Sequence, residues 1–181
     1  LQLEPGSFEA RALPVEEPSA EDMGALFFDP DGDGDLDLYV VSGGAYPMDN
    51  AYQDRLYLND GRGTFTLSEE ALPPENASGS VVVAADYDRD GDLDLFVGGR
   101  IVPGQYPLPA RSYLLRNDTP PGGAARFSNV TETIAPALSE VGLVTAALWT
   151  DFDRDGAVDL LVTGEWMPLT FFRNDGGRFT D

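Results

Sequence analysis

The sequence contains no cysteine, no histidine and no lysine. All 11 of its basic residues are arginine. Without cysteine, the chain forms neither disulfide bonds nor thiolate metal sites. The three absences together exclude a Ser–His–Asp triad, a cysteine nucleophile, a histidine-ligated zinc ion and a Schiff-base lysine. No apolar run approaches the roughly 18 residues that a membrane span needs, so we expect no membrane insertion.

Positive charge is also scarce, with 11 basic against 32 acidic residues and a formal net charge of −21. Such a chain repels a phosphate backbone, so we expect no nucleic-acid partner. Paired carboxylates could still hydrolyse glycosides. Glu165, next to Trp166, is the candidate for that role, because most other clustered acids belong to the motif below. We therefore expect no enzyme activity within this chain, and keep a carbohydrate-active enzyme using loop carboxylates as the alternative.

One acidic nine-residue motif, Asp-x-Asp-x-Asp-Gly-x-x-Asp, occurs three times. Carboxylates at positions 1, 3, 5 and 9, with glycine at position 6, can converge on a hard cation such as calcium, which accepts six to eight oxygen ligands. We predict that these motifs bind about three calcium ions. The candidate metal residues are Asp29, Asp31, Asp33, Asp35 and Asp37, then Asp86, Asp88, Asp90, Asp92 and Asp94, then Asp151, Asp153, Asp155, Ala157 and Asp159.

The surroundings of the motif exclude an EF-hand, which requires a glutamate at position 12 and a helix on each side. Position 12 is Val40, Val97 or Val162. Short apolar, β-branched and aromatic runs precede and follow each motif, at residues 25–28 and 36–41 in the first copy. Such runs are typical of buried strands. Each motif is therefore predicted to be the turn of a β-hairpin.

A second repeated signature is an apolar run followed by asparagine, at Asn59, Asn117 and Asn174. Asparagine and aspartate tolerate left-handed backbone, so this signature predicts another hairpin turn. Four strands per repeat are typical of a β-propeller blade. The copies begin 57 and 65 residues apart, which is too long for a calcium-binding β-solenoid.

The sequence thus predicts an all-β fold, a β-propeller segment of about three four-stranded antiparallel blades with the acidic loop between strands 1 and 2. The predicted blades are residues 20–68, 79–131 and 142–181. Residues 1–12 are predicted to end a preceding blade and to supply a strand without a hairpin partner in this chain. The whole chain, 1–181, is interpreted as part of a propeller belonging to a longer protein.

The chain resembles FG-GAP/VCBS repeat proteins, which include the integrin α-subunit propeller, and is similar to bacterial propellers of the cartilage-acidic-protein (ASPIC/UnbV-associated) type. Residues 84–99, 103–109 and 148–156 carry the resemblance. It implies about seven blades in the complete propeller, with calcium in the loop between strands 1 and 2. It also implies that position 7, where Ala157 lacks a carboxylate, contributes its backbone carbonyl.

The resemblance also implies that loops between strands 2 and 3 lie on a face opposite the calcium loops. Aromatic and arginine side chains dominate recognition surfaces. The candidate ligand-binding residues in these loops are Tyr46, Tyr52, Arg100, Tyr106 and Trp166. The alternative is that these aromatics only stiffen proline-rich loops.

We therefore expect a calcium-binding module that mediates protein or glycan interaction, or a structural spacer in a multidomain surface protein. The density of calcium motifs favours an extracellular, cell-surface or periplasmic location. We also expect this segment to pack against further propeller blades, either from the same longer chain or from neighbouring copies.

Overall fold

The computed structural model describes residues 2–4, 6–8, 10, 12–13, 21–45 and 52–181. The chain is all-β, with three four-stranded antiparallel sheets that follow one another like propeller blades. The first sheet contains β3 (Glu21–Phe28), β4 (Asp37–Gly43), β5 (Arg55–Asn59) and β6 (Phe65–Leu67). The second contains β7 (Ser78–Ala85), β8 (Asp94–Ile101), β9 (Tyr113–Asn117) and β10 (Phe127–Asn129). The third contains β11 (Leu143–Thr150), β12 (Asp159–Glu165), β13 (Thr170–Asn174) and β14 (Phe179–Thr180).

A two-stranded hairpin precedes these sheets, and it corrects one expectation. β1 (Gln2–Glu4) pairs with β2 (Ser7–Phe8), so the first segment contains two paired strands rather than one unpartnered strand. Gly6 has a φ of +86° between them. Glycine adopts this left-handed backbone without steric cost, so a tight turn can pair the two strands where a strand without a hairpin partner was expected.

The second and third sheets are connected by the only helical turns in the described part of the chain. They are α1 (Thr131–Ile134) and a 3₁₀ turn (Pro136–Leu138). Leu138 is fully buried in the core between these two sheets. The connection therefore adds to the packing between sheets. None of the described helices is long and apolar enough to cross a membrane.

The sheets pack face to face through apolar cores. In the first two sheets, one row of three cross-strand neighbours packs against the following sheet, and the third sheet carries the corresponding row. The rows are Leu26–Tyr39–Leu56, Val83–Phe96–Leu114 and Leu148–Leu161–Phe171. The first row lies in the core between sheets one and two, and the second in the core between sheets two and three. In the third row, Leu148 is 57% and Phe171 44% exposed.

The strand order fixes which loops share an end of the molecule. Each sheet is an up-and-down meander in which consecutive strands are neighbours. The turns between strands 1 and 2 and between strands 3 and 4 therefore lie at one end, and the connections between strands 2 and 3 at the other. The acidic motifs and the asparagine hairpins consequently share the first end, which we call the motif end.

Candidate metal centre

Each acidic motif forms the turn between the first two strands of its sheet. The carboxylate at position 1 accepts a hydrogen bond from the backbone N–H of the glycine at position 6. The donor–acceptor pairs are Gly34 to Asp29 at 3.0 Å, Gly91 to Asp86 at 3.1 Å and Gly156 to Asp151 at 3.0 Å. These glycines have φ values of +90°, +101° and +89°. Position 6 therefore requires glycine for its backbone conformation.

Position 4 of the motif also adopts left-handed backbone, which the sequence did not predict. In the first turn this residue is Gly32, with a φ of +73°. In the others it is Arg89, at +65°, and Arg154, at +63°. Left-handed backbone costs a residue with a Cβ roughly 1–2 kcal/mol. The two arginines therefore hold backbone strain inside the motif.

The carboxylates of each turn converge. One oxygen from each of three residues lies within 4.8 Å of the other two. The clusters are Asp29, Asp31 and Asp33, then Asp86, Asp88 and Asp90, then Asp151, Asp153 and Asp159. These are positions 1, 3 and 5 in two turns, and positions 1, 3 and 9 in the third. The side chains of Asp35 and Asp92, at position 7, belong to none of these clusters.

The carboxylate at position 9 is buried at the base of each turn. Asp37, Asp94 and Asp159 are at most 1% exposed. In each, Oδ1 accepts the backbone N–H of the hairpin asparagine of the same sheet. The N–H donors are Asn59 at 2.7 Å, Asn117 at 2.8 Å and Asn174 at 2.8 Å. The two repeated signatures are therefore joined in space.

The other oxygen of position 9 differs between the turns. In the second and third turns, Oδ2 accepts the backbone N–H of position 2, from Tyr87 at 3.3 Å and from Phe152 at 3.1 Å. In the first turn, position 2 is Pro30, which has no N–H to donate. Asp37 Oδ2 is buried and has no hydrogen-bond partner among the described residues. A buried carboxylate oxygen without a partner is costly, typically by about 1–3 kcal/mol or more.

The electrostatics of the first two turns disfavour negative charge in the protein alone. Burial raises the pKa of Asp37 to about 6. The hydrogen bond from the Asn59 N–H opposes this rise, and the charges of the neighbouring aspartates add to it. Burial is also the main cause that raises the pKa of Asp94 to about 7. The pKa values of Asp31 and Asp88 are raised by burial and then by the adjacent position-5 carboxylates. The clustered carboxylates therefore disfavour one another's charge, and at Asp88 the positive charge of Arg116 opposes the rise in pKa without cancelling it.

The hairpin asparagines also connect neighbouring sheets. Asn117 Nδ2 donates to the carbonyl of Pro30 in the preceding sheet at 2.8 Å, and Asn174 Nδ2 donates to the carbonyl of Tyr87 at 2.8 Å. Both carbonyls belong to position 2 of an acidic turn. None of the three asparagines has a positive φ, so the predicted reason for asparagine was wrong. Its side chain, rather than left-handed backbone, accounts for its recurrence.

The candidate ligand-binding residues divide into two groups. Arg100, Tyr106 and Trp166 come together with Glu165 at the end opposite the motif end. Tyr52 is 6% exposed and lines a separate cavity of about 490 Å³ between the first two sheets. Tyr46 lies outside the described residues.

Sequence reasoning missed the asparagine bonds between sheets and the role of Glu165 in joining these side chains. For the asparagine bonds, one signal was available in the sequence: asparagine recurs at a position where glycine or aspartate would also suit a turn. Nothing in the sequence indicates that Arg100 and Glu165, 65 residues apart, form an ion pair at 2.7 Å.

The repeated sheets and their acidic turns have counterparts in known proteins. Residues 29–97 match the FG-GAP-like repeat family. This segment comprises the first acidic turn, the second acidic turn and the strands between them. This segment of the chain is therefore assigned to the FG-GAP-like repeat family.

The chain is also similar to cartilage acidic protein 1 of Mus musculus. The two are 29% identical over 175 residues, which cover 93% of this chain. The chain spans 25% of the length of that relative. The similarity therefore covers almost all of this chain but only a part of the mouse protein.

Proposed function

We propose that this chain is a non-enzymatic, calcium-binding β-propeller module that mediates recognition of a protein or glycan. In this proposal, calcium stabilises the turns of the motif end, and the opposite end carries the recognition surface. The module works outside the cell, at the cell surface or in the periplasm.

The observation that carries the calcium assignment is the orphaned Oδ2 of Asp37. This oxygen is buried, carries no hydrogen bond from the described residues, and belongs to the same turn as the clustered carboxylates of Asp29, Asp31 and Asp33. In this proposal one hard cation binds the clustered carboxylates and also supplies the missing partner of Asp37, and oxygen-only donor sets suit calcium. The carboxylate oxygens present therefore fit calcium better than a softer metal.

The protein's own contribution is to orient the ligands. The N–H of Gly34 fixes the position-1 carboxylate, and the N–H of Asn59 fixes the carboxylate of Asp37. Bound calcium would supply the positive charge that the carboxylates lack. These residues act on stability rather than on a substrate, which is why the proposal includes no catalytic role.

The proposed location is supported by the chemistry of the site and by the match to FG-GAP-like repeats. FG-GAP repeats are typical of extracellular proteins, and weak calcium sites are filled where calcium reaches millimolar concentration. Glycoside chemistry has less support, because the Glu165 carboxylate already accepts hydrogen bonds from Arg100 at 2.7 Å and from Tyr106 at 3.3 Å.

Calcium binding can be tested by titration calorimetry on the full chain. The proposal predicts saturable calcium binding at about three sites, and Asp88→Asn should remove one of them. Glu70→Gln is the matched control, because it removes the same charge from an exposed residue outside the motifs. No calcium binding by the wild type, or equal loss of sites in both variants, would contradict the assignment.

A further inference from the structure

Four side chains from two neighbouring sheets form one hydrogen-bonded cluster at the end opposite the calcium turns. Arg100 donates to Glu165 Oε1 at 2.7 Å, and the Tyr106 hydroxyl donates to Glu165 Oε2 at 3.3 Å. The indole N–H of Trp166 donates in turn to the Tyr106 hydroxyl oxygen. We call these four residues the Trp166 cluster.

Trp166 is presented to solvent in an unusual way. Its side chain is 79% exposed, the largest exposure of any described large hydrophobic residue, and its φ is +55°. Left-handed backbone at a bulky residue is a genuine outlier and is often maintained at functional sites. The bond to Tyr106 fixes the indole by its polar edge, so an aromatic face remains available to a partner.

The composition of the cluster matches that of interface hot spots. Tryptophan, tyrosine and arginine are the residues most enriched among them. Tyr106 is itself 54% exposed. Glu165 and Arg100 form an ion pair, so their charges neutralise each other. The cluster therefore combines exposed aromatic surface with a paired acid and base.

The charge around the cluster indicates the chemistry of the partner. Tyr106 and Arg100 also line a shallow depression of about 220 Å³ together with the exposed carboxylate residue Glu21. The chain as a whole has a net charge of −21. A long-range field of this sign attracts cationic partners, and tryptophan is the best aromatic platform for a lysine or arginine side chain.

We propose that the Trp166 cluster is the docking site for a basic segment of a partner protein, with a lysine or arginine side chain placed over the indole of Trp166. This inference rests on the proposed recognition function and specifies its partner class. It does not depend on the calcium assignment, since the two sites lie at opposite ends of the sheets.

The inference can be tested by titrating the calcium-loaded full chain with a fluorescent lysine–glycine repeat peptide and following anisotropy. Glutamate–glycine peptide and a neutral oligosaccharide serve as the competing probes. Trp166→Leu changes no charge, so it leaves the general attraction of the chain unaltered. We expect it to weaken binding of the lysine peptide roughly tenfold, the order expected for loss of a cation–π contact.

Two further variants separate aromatic recognition from general surface effects. Trp166→Tyr retains an aromatic face and should recover part of the affinity. Leu169→Ser removes another exposed apolar residue, Leu169 being 55% exposed, from the same connection and should bind as the wild type does. Calcium binding should be unchanged in all three variants.

Equal binding of the lysine peptide by wild type and Trp166→Leu would overturn the inference, as would preferential binding of the oligosaccharide or the glutamate peptide. Self-association that depends on Trp166 would also overturn it, because the occupant would then be a second copy. Retained calcium binding in any of these cases would leave the calcium proposal standing. Absence of calcium binding alongside Trp166-dependent peptide binding would overturn the calcium proposal alone.

Discussion

Asp94 and Asn117 join the two repeated signatures of the second sheet: the backbone N–H of Asn117 donates to Oδ1 of Asp94 at 2.8 Å. The side chain of Asn117 continues the connection, because its Nδ2 donates to the carbonyl of Pro30 in the neighbouring sheet at 2.8 Å. One asparagine therefore fixes a carboxylate of its own acidic turn and contacts the backbone of the preceding turn.

Replacing this asparagine should destabilise the contact between sheets. Asn117→Ala removes a buried hydrogen bond to another sheet and should lower the free energy of unfolding by about 1–2 kcal/mol. Asn59→Ala is the matched control, because the Asn59 amide bonds within its own sheet to the exposed carbonyl of Leu36. Chemical denaturation should give the larger loss for Asn117→Ala, and equal losses would contradict the contribution of the bond between sheets.

The strain at position 4 of the turns gives a second prediction. Arg154→Gly and Arg154→Ala both remove the guanidinium group, but only glycine adopts the φ of +63° found there without steric cost. The glycine variant should therefore be more stable than the alanine variant by about 1 kcal/mol. Thermal unfolding in saturating calcium measures the difference, and an alanine variant at least as stable as the glycine variant would show that the turn is unstrained.

Much of this architecture could be predicted from residue patterns. The apolar runs, the glycine at position 6 and the repeat length predicted four-stranded sheets with acidic turns. The strand boundaries were less accurate: β3 begins at Glu21, four residues before the apolar run at 25–28, because Glu21 and Asp22 are charged and exposed and are held in the strand by pairing with β4.

Contacts between distant parts of the chain could not be predicted. The orphaned Oδ2 of Asp37 depends on the missing N–H of Pro30, which matters only once the turn has brought the two together. The ion pair of Arg100 with Glu165 likewise depends on how neighbouring sheets pack. Periodicity reports the environment of a single strand and carries no information on such pairs.

A buried carboxylate outside the motifs gives a prediction on pH. Asp54 accepts hydrogen bonds from the Tyr39 hydroxyl at 2.8 Å and the Ser42 N–H at 2.7 Å, yet burial raises its pKa to about 7. Arg55 opposes this shift and the charge of Glu75 adds to it. The folded state therefore binds a proton on the Asp54 carboxyl more tightly than the unfolded state does. The stabilisation from this protonated carboxyl is complete below about pH 4 and is lost as pH rises to about 7.

Asp54→Asn removes this titration while keeping an oxygen for the Ser42 N–H. The variant should resemble the wild type near pH 4 and exceed its stability near pH 8, by up to about 4 kcal/mol for a shift of this size. Denaturation at a series of pH values in saturating calcium measures this difference. A difference between variant and wild type that does not change with pH would contradict the raised pKa of Asp54.

The exposed row of the third sheet predicts association of the isolated chain. Leu148 and Phe171 occupy the positions at which Val83 and Leu114 of the second sheet pack against the third. We propose that another blade, from the same longer chain or from a neighbouring copy, covers this row, because uncovered apolar faces of this kind favour association.

Light scattering on the 181-residue chain should therefore detect oligomers, and Leu148→Ser with Phe171→Ser should reduce them. Leu108→Ser is the control, since Leu108 is 49% exposed in the connection between β8 and β9, away from this row. A wild-type chain that remains monomeric at high concentration would show that the third sheet needs no covering blade.

The most direct test of the account is the melting temperature of the full chain with calcium, with magnesium and with excess EDTA. Three carboxylates within 4.8 Å of one another repel by roughly 2–3 kcal/mol per turn even at the dielectric constant of water. Calcium binding to the folded state removes this repulsion and stabilises by mass action. EDTA should lower the melting temperature by about 10 °C or more, and calcium should restore it better than magnesium, which demands octahedral geometry and retains its water. The same melting curve in calcium and in EDTA would contradict the claim that these turns are calcium sites.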